Sequence, residues 1–213
     1  MTVINARAIA MVEQLSVDRA EQAVDVLVDS FYDYPVMRHI IGDTVDEYEG
    51  RLRKLVRFFV AARYCRDEPV LAVKESGRAV ATAILTPPFQ REAIPSLAKH
   101  REAVWKELGQ DSRDRYEALG DLCRLFEIPE PHYHLNMIGV LKSHAGSGYG
   151  RLLLDAVHEL SQEDLDSTGV TLNTEDAKNI PLYEHFGYRV IGRVRVTDDM
   201  DTWVMCREDD GHF

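Results

Sequence analysis

Apolar residues recur every three or four positions in the first third of the chain, which predicts helices. Ser16 and Asp18 offer helix caps before a segment whose apolar positions follow helical spacing, and Pro35 ends it. Residues 35–43 then suggest a short turn or a single helical turn, and a second helix is expected over about 46–64. An opening strand is predicted at residues 7–12. The apolar faces of the two helices comprise Ala20, Val24, Leu27, Val28 and Phe31, and Tyr48, Leu52, Leu55, Phe59 and Val60.

Two runs rich in β-branched residues follow, at 69–75 and 79–86. The turn residues Ser76-Gly77-Arg78 join them, so the two runs predict a β-hairpin. Residues 87–131 have a different character, because prolines stand at both ends and the interior is charged and helical. A break near Gly109 predicts a helical hairpin, about 93–108 and 112–127, inserted between two strands.

The remaining third alternates between strand and helix patterns. We predict strand 132–141, helix 149–164, strand 169–174, helix 179–186 and a last hairpin of 188–197 with 200–207. This order corresponds to a mixed α/β sheet with helices on both faces. We expect residues 1–213 to form one domain with the insertion at 87–131.

Composition narrows the function classes. The chain has 213 residues with a net charge of -11, and 45% of its residues are apolar. No basic cluster offers contacts to nucleic acid, and no apolar run approaches the roughly 20 residues of a membrane span. Three widely spaced cysteines (Cys65, Cys123 and Cys206) favour a reducing, cytoplasmic setting. We expect no metal site, no nucleic-acid partner and no membrane partner, while the acidity fits a cationic small molecule.

A glycine-rich loop between strand 132–141 and helix 149–164 is the most informative feature. Gly146, Gly148 and Gly150 allow close approach to backbone N–H groups at a helix start, where the helix dipole favours anions. The loop lacks the Lys-Ser/Thr of a P-loop, and its spacing differs from a dinucleotide fingerprint. It therefore predicts a diphosphate site, with a ligand-free glycine turn as the alternative.

A second motif, 173–190, places Asn179, Tyr183, Gly187 and Tyr188 around a short helix. Together the two motifs resemble the GNAT superfamily of acyl-CoA-dependent N-acetyltransferases, whose signature is Q/R-x-x-G-x-G/A followed by N-x-x-x-x-Y-x-x-x-G-F. Ala145 stands at the Q/R position, which removes a side-chain contact but leaves the backbone N–H groups. Segments 29–39, 138–140, 179–188 and 202–207 are also similar to the puromycin N-acetyltransferase-like group.

The resemblance implies a GNAT-type mixed, mostly antiparallel twisted sheet with helices on both faces and a helical insertion between the third and fourth strands. It also implies that acetyl-CoA is the acetyl donor and that strands four and five splay apart around its pantetheine arm. Tyr183 would face the thioester sulfur and act as the acid. The implied cofactor contacts are the backbone of Ile138, Gly139 and Val140, the loop Ala145, Gly146, Ser147, Gly148, Tyr149, Gly150 and Arg151, and the side chain of Asn179.

The general base and the acceptor pocket are less defined by the sequence. His134 shares a strand face with Asn136 and titrates near neutral pH, which makes it the candidate base; Glu175 and a water relay are the alternatives. Tyr32, Asp33 and Tyr34 stand where the superfamily places its acceptor pocket, although a packed helix end would also explain them.

The sequence thus predicts an acetyl-CoA-dependent N-acetyltransferase acting on a primary amine of a small molecule. Because no cysteine has a recognisable nucleophile setting, we expect direct transfer in a ternary complex. The alternatives are a non-catalytic acyl-CoA-binding sensor of the same fold and a peptide or protein N-acetyltransferase. A homodimer formed through the last strands or the insertion is an oligomeric state that the sequence leaves open.

Overall fold

The computed structural model describes residues 12–42, 47–89 and 94–209. Seven strands form one sheet in the order β1-β2-β3-β4-β5-β7-β6. They are β1 (Val12–Gln14), β2 (Val70–Glu75), β3 (Arg78–Thr86), β4 (Tyr133–Val140), β5 (Gly169–Thr174), β6 (Arg189–Thr197) and β7 (Met200–Glu208). Only β4 and β5 pair in parallel, and every other neighbouring pair is antiparallel. The predicted mixed, mostly antiparallel sheet is confirmed.

Seven α-helices cover the two faces of this sheet in the described part of the chain. They are α1 (Ala20–Phe31), α2 (Pro35–Ile41), α3 (Tyr48–Cys65), α4 (Pro95–Leu108), α5 (Gln110–Arg124), α6 (Tyr149–Glu163) and α7 (Ile180–His185). The first five pack a core around Leu27, Leu52 and Leu55, whereas α6 and α7 bury Leu153, Val157 and Tyr183 on the opposite face. The sheet therefore separates two apolar cores.

Three boundaries differ from the sequence expectations. Residues 35–41 form two helical turns rather than one, because Pro35 suits the first helical position and four apolar side chains of the segment are buried. Helix α5 begins directly after Gly109 and ends at Arg124, shifted from 112–127. Of the predicted opening strand 7–12, only Val12 lies among the described residues, and β1 continues to Gln14.

The hairpin β2–β3 turns through Ser76 and Gly77, both with positive φ, as a two-residue loop requires. Helices α4 and α5 form the predicted insertion between β3 and β4. Its far end is close to the sheet again, since a Cβ at Gly192 of β6 would lie 2.3 Å from the Phe126 ring. Within the described ranges, no helix is both long and apolar enough to cross a membrane.

Candidate active site

The parallel pairing of β4 with β5 ends halfway along β4. It covers Tyr133–Leu135 against Val170–Leu172, after which β4 continues to Val140 against β3 alone. Beyond Leu172, β5 pairs with β7. The two central strands therefore splay apart and leave one side of β4 open.

The register of β4 decides which of its backbone groups face this gap. The Leu141 N–H donates to Val80 O at 2.9 Å, and Gly139 pairs with Thr82. Because backbone groups alternate in direction along a strand, the groups of Gly139 face β3 while those of Ile138 and Val140 face the gap. The Ser30 hydroxyl lies 2.9 Å from Val140 O, so the Val140 N–H is the group left to meet a ligand.

Gly139 serves the packing of helix α1. A Cβ at this position would lie 2.6 Å from Ser30 Oγ and 2.8 Å from Ser30 Cβ. The absence of a side chain thus lets α1 approach β4 at the splay. The backbone of Gly139 is directed away from the gap, unlike the expectation that it would share ligand bonds with Ile138 and Val140.

Past β4, the chain turns through Lys142–His144 into the glycine loop and then into α6. Gly146 and Gly148 have φ values of 80° and 82°, and Gly148 is the residue that caps the helix. A Cβ at either glycine would meet no atom within 4 Å, so their conformation, and not crowding, requires glycine. No side chain caps this helix end. Its first N–H groups point outward at the positive end of the helix dipole.

Acidic side chains bind the residues that flank the glycine loop. The Lys142 N–H donates to Asp29 Oδ2 at 2.6 Å, and Lys142 Nζ lies 2.9 Å from Asp33 Oδ2. His144 Nε2 lies 3.3 Å from Glu75 Oε2, and Glu75 also accepts from Tyr149 Oη. These contacts fix the loop through its flanks and leave the N–H groups of its glycines outward.

A cavity of about 950 Å³ opens next to the splay. Its walls come from β4, the end of β5, α1 and α3, and helix α5 of the insertion closes one side. Tyr34, His134, Glu175, Asn179 and Tyr183 all line this space. The fold therefore brings together predicted site residues from five separate elements or loops.

The buried Tyr183 of α7 and the partly buried Tyr34, which lies between α1 and α2, line the cavity near the end of β5. Burial, then the neighbouring Tyr34 and Glu175, raise the pKa of Tyr183 well above that of free tyrosine. Tyr34 Oη lies 2.9 Å from Thr174 Oγ1 and accepts from the Glu175 N–H at 3.1 Å. Asn179 Nδ2 donates to the same Thr174 hydroxyl at 3.2 Å. The Thr174 hydroxyl thus positions both Tyr34 and Asn179.

Glu175 has the strongest features of a general base. Its Oε1 accepts from the Thr202 hydroxyl at 2.7 Å, and its side chain lines the cavity. Burial raises the pKa of Glu175 to about 7, although the Thr202 hydrogen bond opposes that rise. A carboxyl group that titrates near neutral pH can take up a proton at working pH.

His134, the base first expected, is placed in the cavity wall with different properties. Burial, His132 and Arg63 lower its pKa to about 4. Its Nδ1 lies 2.8 Å from the Thr171 hydroxyl, which holds the ring in place. A group with so low a pKa suits a positioning role better than that of proton acceptor, and the pKa of Glu175 favours that residue, the alternative base.

The three predicted acceptor residues lie in different surroundings. Tyr34 lines the cavity, whereas Tyr32 and Asp33 are not among its lining residues. Tyr32 packs edge-on against Tyr48 with ring centroids 5.3 Å apart, and Asp33 pairs with Arg38 and Lys142 on the surface. These two residues hold the glycine loop and helix α2 in place from outside.

Sequence reasoning missed the basic residues that α3 contributes. Arg63 Nε lies 2.9 Å from Glu68 Oε2, a carboxylate with 1% of its side chain exposed, and Arg63 also bonds Asn136 Oδ1 at 3.0 Å. A sequence signal for them exists, because Arg63 of α3 and Arg66, which follows the helix as its cap, stand four and seven residues after Phe59. Cys123 of α5 was also missed as a lining residue; burial and then Glu175 raise the pKa of its thiol to about 11.

Comparisons with known proteins agree with this geometry. Residues 113–190 match the acetyltransferase (GNAT) domain family, a span that includes β4, the glycine loop and α7. The matches support a GNAT acetyltransferase domain in this chain. An uncharacterised N-acetyltransferase of Schizosaccharomyces pombe is 22% identical over 84% of this chain and 74% of its own length. A GNAT acyltransferase enzyme is thereby supported, while the puromycin N-acetyltransferase-like subgroup stays a prediction.

Solved structures with the same GNAT fold include acetyltransferases with different substrates in their descriptions. One from Corynebacterium glutamicum, described as histone acetyltransferase HPA2 and related acetyltransferase, aligns with TM-score 0.68 and 19% identity over 95% of this chain and 98% of its own. An agmatine N-acetyltransferase aligns with TM-score 0.60 and 16% identity, over 93% and 98%. The ribosomal-protein-S18-alanine N-acetyltransferase of Escherichia coli aligns with TM-score 0.52 and 13% identity, over 95% and 97%. These likenesses concern the fold.

The GNAT family uses acetyl-CoA, and the site has the features such a ligand needs. Outward N–H groups at the start of α6 suit a diphosphate, and the open side of β4 suits an extended amide-bearing arm. Among the described residues, no group of three side chains could hold a metal ion.

Proposed function

We propose that this protein transfers an acetyl group from acetyl-CoA to a primary amine of a small molecule, by direct transfer in a ternary complex. The observation that carries the proposal is the splay of β4 from β5 between the glycine loop and Tyr183. The open side of β4 and the buried phenol of Tyr183 line one cavity, and β4 leads from Val140 directly into the glycine loop at the start of α6. Bound acetyl-CoA would supply the activated acetyl thioester.

The backbone would provide most of the binding. N–H groups from Gly146 to Arg151 would hold the diphosphate, and those of Ile138 and Val140 would bond the pantetheine arm. Asn179, held by Thr174, would contact the same arm. The Val140 N–H would also face the acyl oxygen, where a fixed donor stabilises developing negative charge.

Two side chains would move protons. Glu175, with its pKa near 7, would accept the proton that the attacking amine must lose. Tyr183 stays protonated at neutral pH and would donate toward the departing thiolate. The Cys123 thiol lines the same cavity, but its pKa of about 11 keeps it protonated and a poor nucleophile. An acyl-enzyme is therefore disfavoured.

The insertion supports a small acceptor over a peptide. Tyr116, Leu119 and Cys123 of α5 line the acceptor side of the cavity, where a peptide would need an open groove.

Release of free thiol from acetyl-CoA with a panel of small primary amines and short peptides tests the proposal. We expect turnover with at least one small amine, none with the peptides, and no acetyl group on the protein after incubation with acetyl-CoA alone. Preferred turnover of peptides would contradict the choice of acceptor. Tight CoA binding without turnover of any amine would instead favour the acyl-CoA sensor.

A further inference from the structure

The acceptor cavity has two ends of opposite charge. At one end Glu175 and Asp176 follow β5, beside the buried phenols. At the other end three guanidinium groups surround Tyr116: Arg63 and Arg66 from the end of α3, and Arg101 from α4. The positive charges near this phenol thus come from the end of α3 and from α4, and Glu117 of α5 is the carboxylate nearby.

Helix α5 joins the two ends and sets their separation. Tyr116 and Cys123 both line the cavity from this helix, Tyr116 near the arginines and Cys123 near Glu175. Seven residues make two helical turns, so the two ends lie about 10 Å apart along the helix axis. That distance suits a small extended molecule with unlike charges at its ends.

The arginine end has one positive charge more than its carboxylates. Arg63 pairs with Glu68 at 2.9 Å, and Arg101 pairs with Glu117 at 3.4 Å. Burial raises the pKa of Glu68, and the charges of Arg63 and then of the nearby Arg66 oppose that rise. In the part of the chain that the structure describes, Arg66 nevertheless forms no ion pair. Arg124, further along the wall, is paired with Asp121. Arg66 is therefore the lining cation without a carboxylate of its own.

We infer that the acceptor amine carries an anionic group, a carboxylate or a phosphate, which Arg66 and Arg101 bind while the amine lies at Glu175. This deepens the proposed function and rests on it. Arginine suits the task, since its planar donors pair with carboxylate and phosphate oxygens. Phe59 and Tyr116 line the cavity, with stacked rings whose centroids are 5.8 Å apart, and would contact the apolar linker. Trp105 packs against Tyr116 with ring centroids 5.0 Å apart.

Matched series of amines test the inference by binding and by turnover. Calorimetry with the CoA-loaded protein, and turnover with acetyl-CoA, would compare δ-aminovalerate and ε-aminocaproate with pentylamine, hexylamine and cadaverine. Aminopropylphosphonate separates phosphate-like from carboxylate recognition. We expect the amino acids or the phosphonate to have Kd and KM values roughly 10- to 100-fold below those of the matched monoamines, as a charge-assisted hydrogen bond provides.

Substitutions of Arg66 test whether this residue causes the preference for anionic amines. Arg66→Gln should remove most of it by raising the Kd and KM of the anionic amines toward those of the monoamines, and Arg66→Lys should keep part of it. Arg53→Gln is the matched control, because Arg53 lies on the same helix but pairs with Asp25 at 2.6 Å, outside the cavity.

The outcomes separate the two claims. Equal or tighter binding of monoamines or cadaverine, or a preference that survives in Arg66→Gln, overturns the inference. Failure of every anionic amine to bind the protein also overturns it. Absence of CoA binding instead overturns the proposed function, while the amine titrations without CoA still decide between anionic and neutral acceptors.

Discussion

Replacing Glu175 by glutamine separates catalysis from stability in a single variant. Glutamine has the same shape, and its amide oxygen can still accept the Thr202 hydrogen bond that Glu175 accepts at 2.7 Å. The cavity should therefore keep its form, while the group that takes up the proton is lost. A positioned general base contributes typically 10²- to 10⁴-fold, and we expect kcat to fall by about that factor.

The pH dependence of activity follows from the same group. Only the ionised carboxylate can accept a proton, and burial raises the pKa of Glu175 to about 7. The wild-type kcat/KM should therefore rise with pH and level off above about 7. In Glu175→Gln this step should disappear, and the remaining activity should follow the ionisation of the free amine.

As pH rises, the contribution of Glu175 to stability should fall while activity rises. The folded protein holds the Glu175 proton more tightly than the unfolded chain, because the pKa rises from 4.5 to about 7. The contribution of Glu175 to stability is then most favourable below pH 4.5 and becomes less favourable as pH increases toward 7. The shift corresponds to at most about 3 kcal/mol, an upper bound because the side chain is partly open to cavity water.

Urea unfolding at pH 8 and at pH 4 measures this difference. Glu175→Gln should be more stable than the wild type at pH 8 and similar to it at pH 4. Glu184→Gln on the exposed face of α7 is the control and should change neither activity nor stability. An unchanged pH profile of kcat/KM in Glu175→Gln, or a loss of stability at pH 8, would refute the assignment of the base.

Three further changes test other parts of the site. Tyr183→Phe should lower kcat about 10²-fold or more while the Kd for CoA, measured by calorimetry, changes less than about threefold; weak CoA binding would show a structural role instead. Gly148→Ala should weaken CoA binding and lower the free energy of unfolding by about 1–2 kcal/mol, because φ is 82° at this position. Gly148→Asn should cost less stability. An affinity for CoA equal to that of the wild type in both variants would contradict the role of this cap. Glu68→Ala should destabilise the protein by about 3 kcal/mol in urea unfolding, because it leaves the nearly buried Arg63 without its carboxylate. A change below about 1 kcal/mol would show that water replaces Glu68.

Periodicity predicted the elements because each one buries a single face. The hairpin β2–β3 and helix α6 lie within a residue or two of their expected bounds, since the turn residues and the glycine cap are local signals. Residues 35–41 were underestimated as a helix, because tertiary burial of their apolar side chains adds stability that local patterns do not contain.

The cofactor side of the site was accessible from sequence, and the acceptor side much less so. A glycine loop before a helix is contiguous in the chain, so its meaning can be read locally. The pocket that surrounds Glu175 combines α1, α3, α5 and the end of β5, which only the fold brings together. His134 was preferred because its ordinary pKa is near neutral, yet burial lowers that pKa to about 4 and raises that of Glu175 to about 7.

We propose that the start of α6 and the splayed strands direct the acetyl thioester toward Tyr183. A crystal structure of the protein with acetyl-CoA would show whether they do. We predict the diphosphate on the N–H groups around Gly148, the pantetheine arm along the open side of β4, and the sulfur within hydrogen-bonding distance of Tyr183 Oη. A cofactor bound elsewhere, or a sulfur beyond reach of that hydroxyl, would contradict the account.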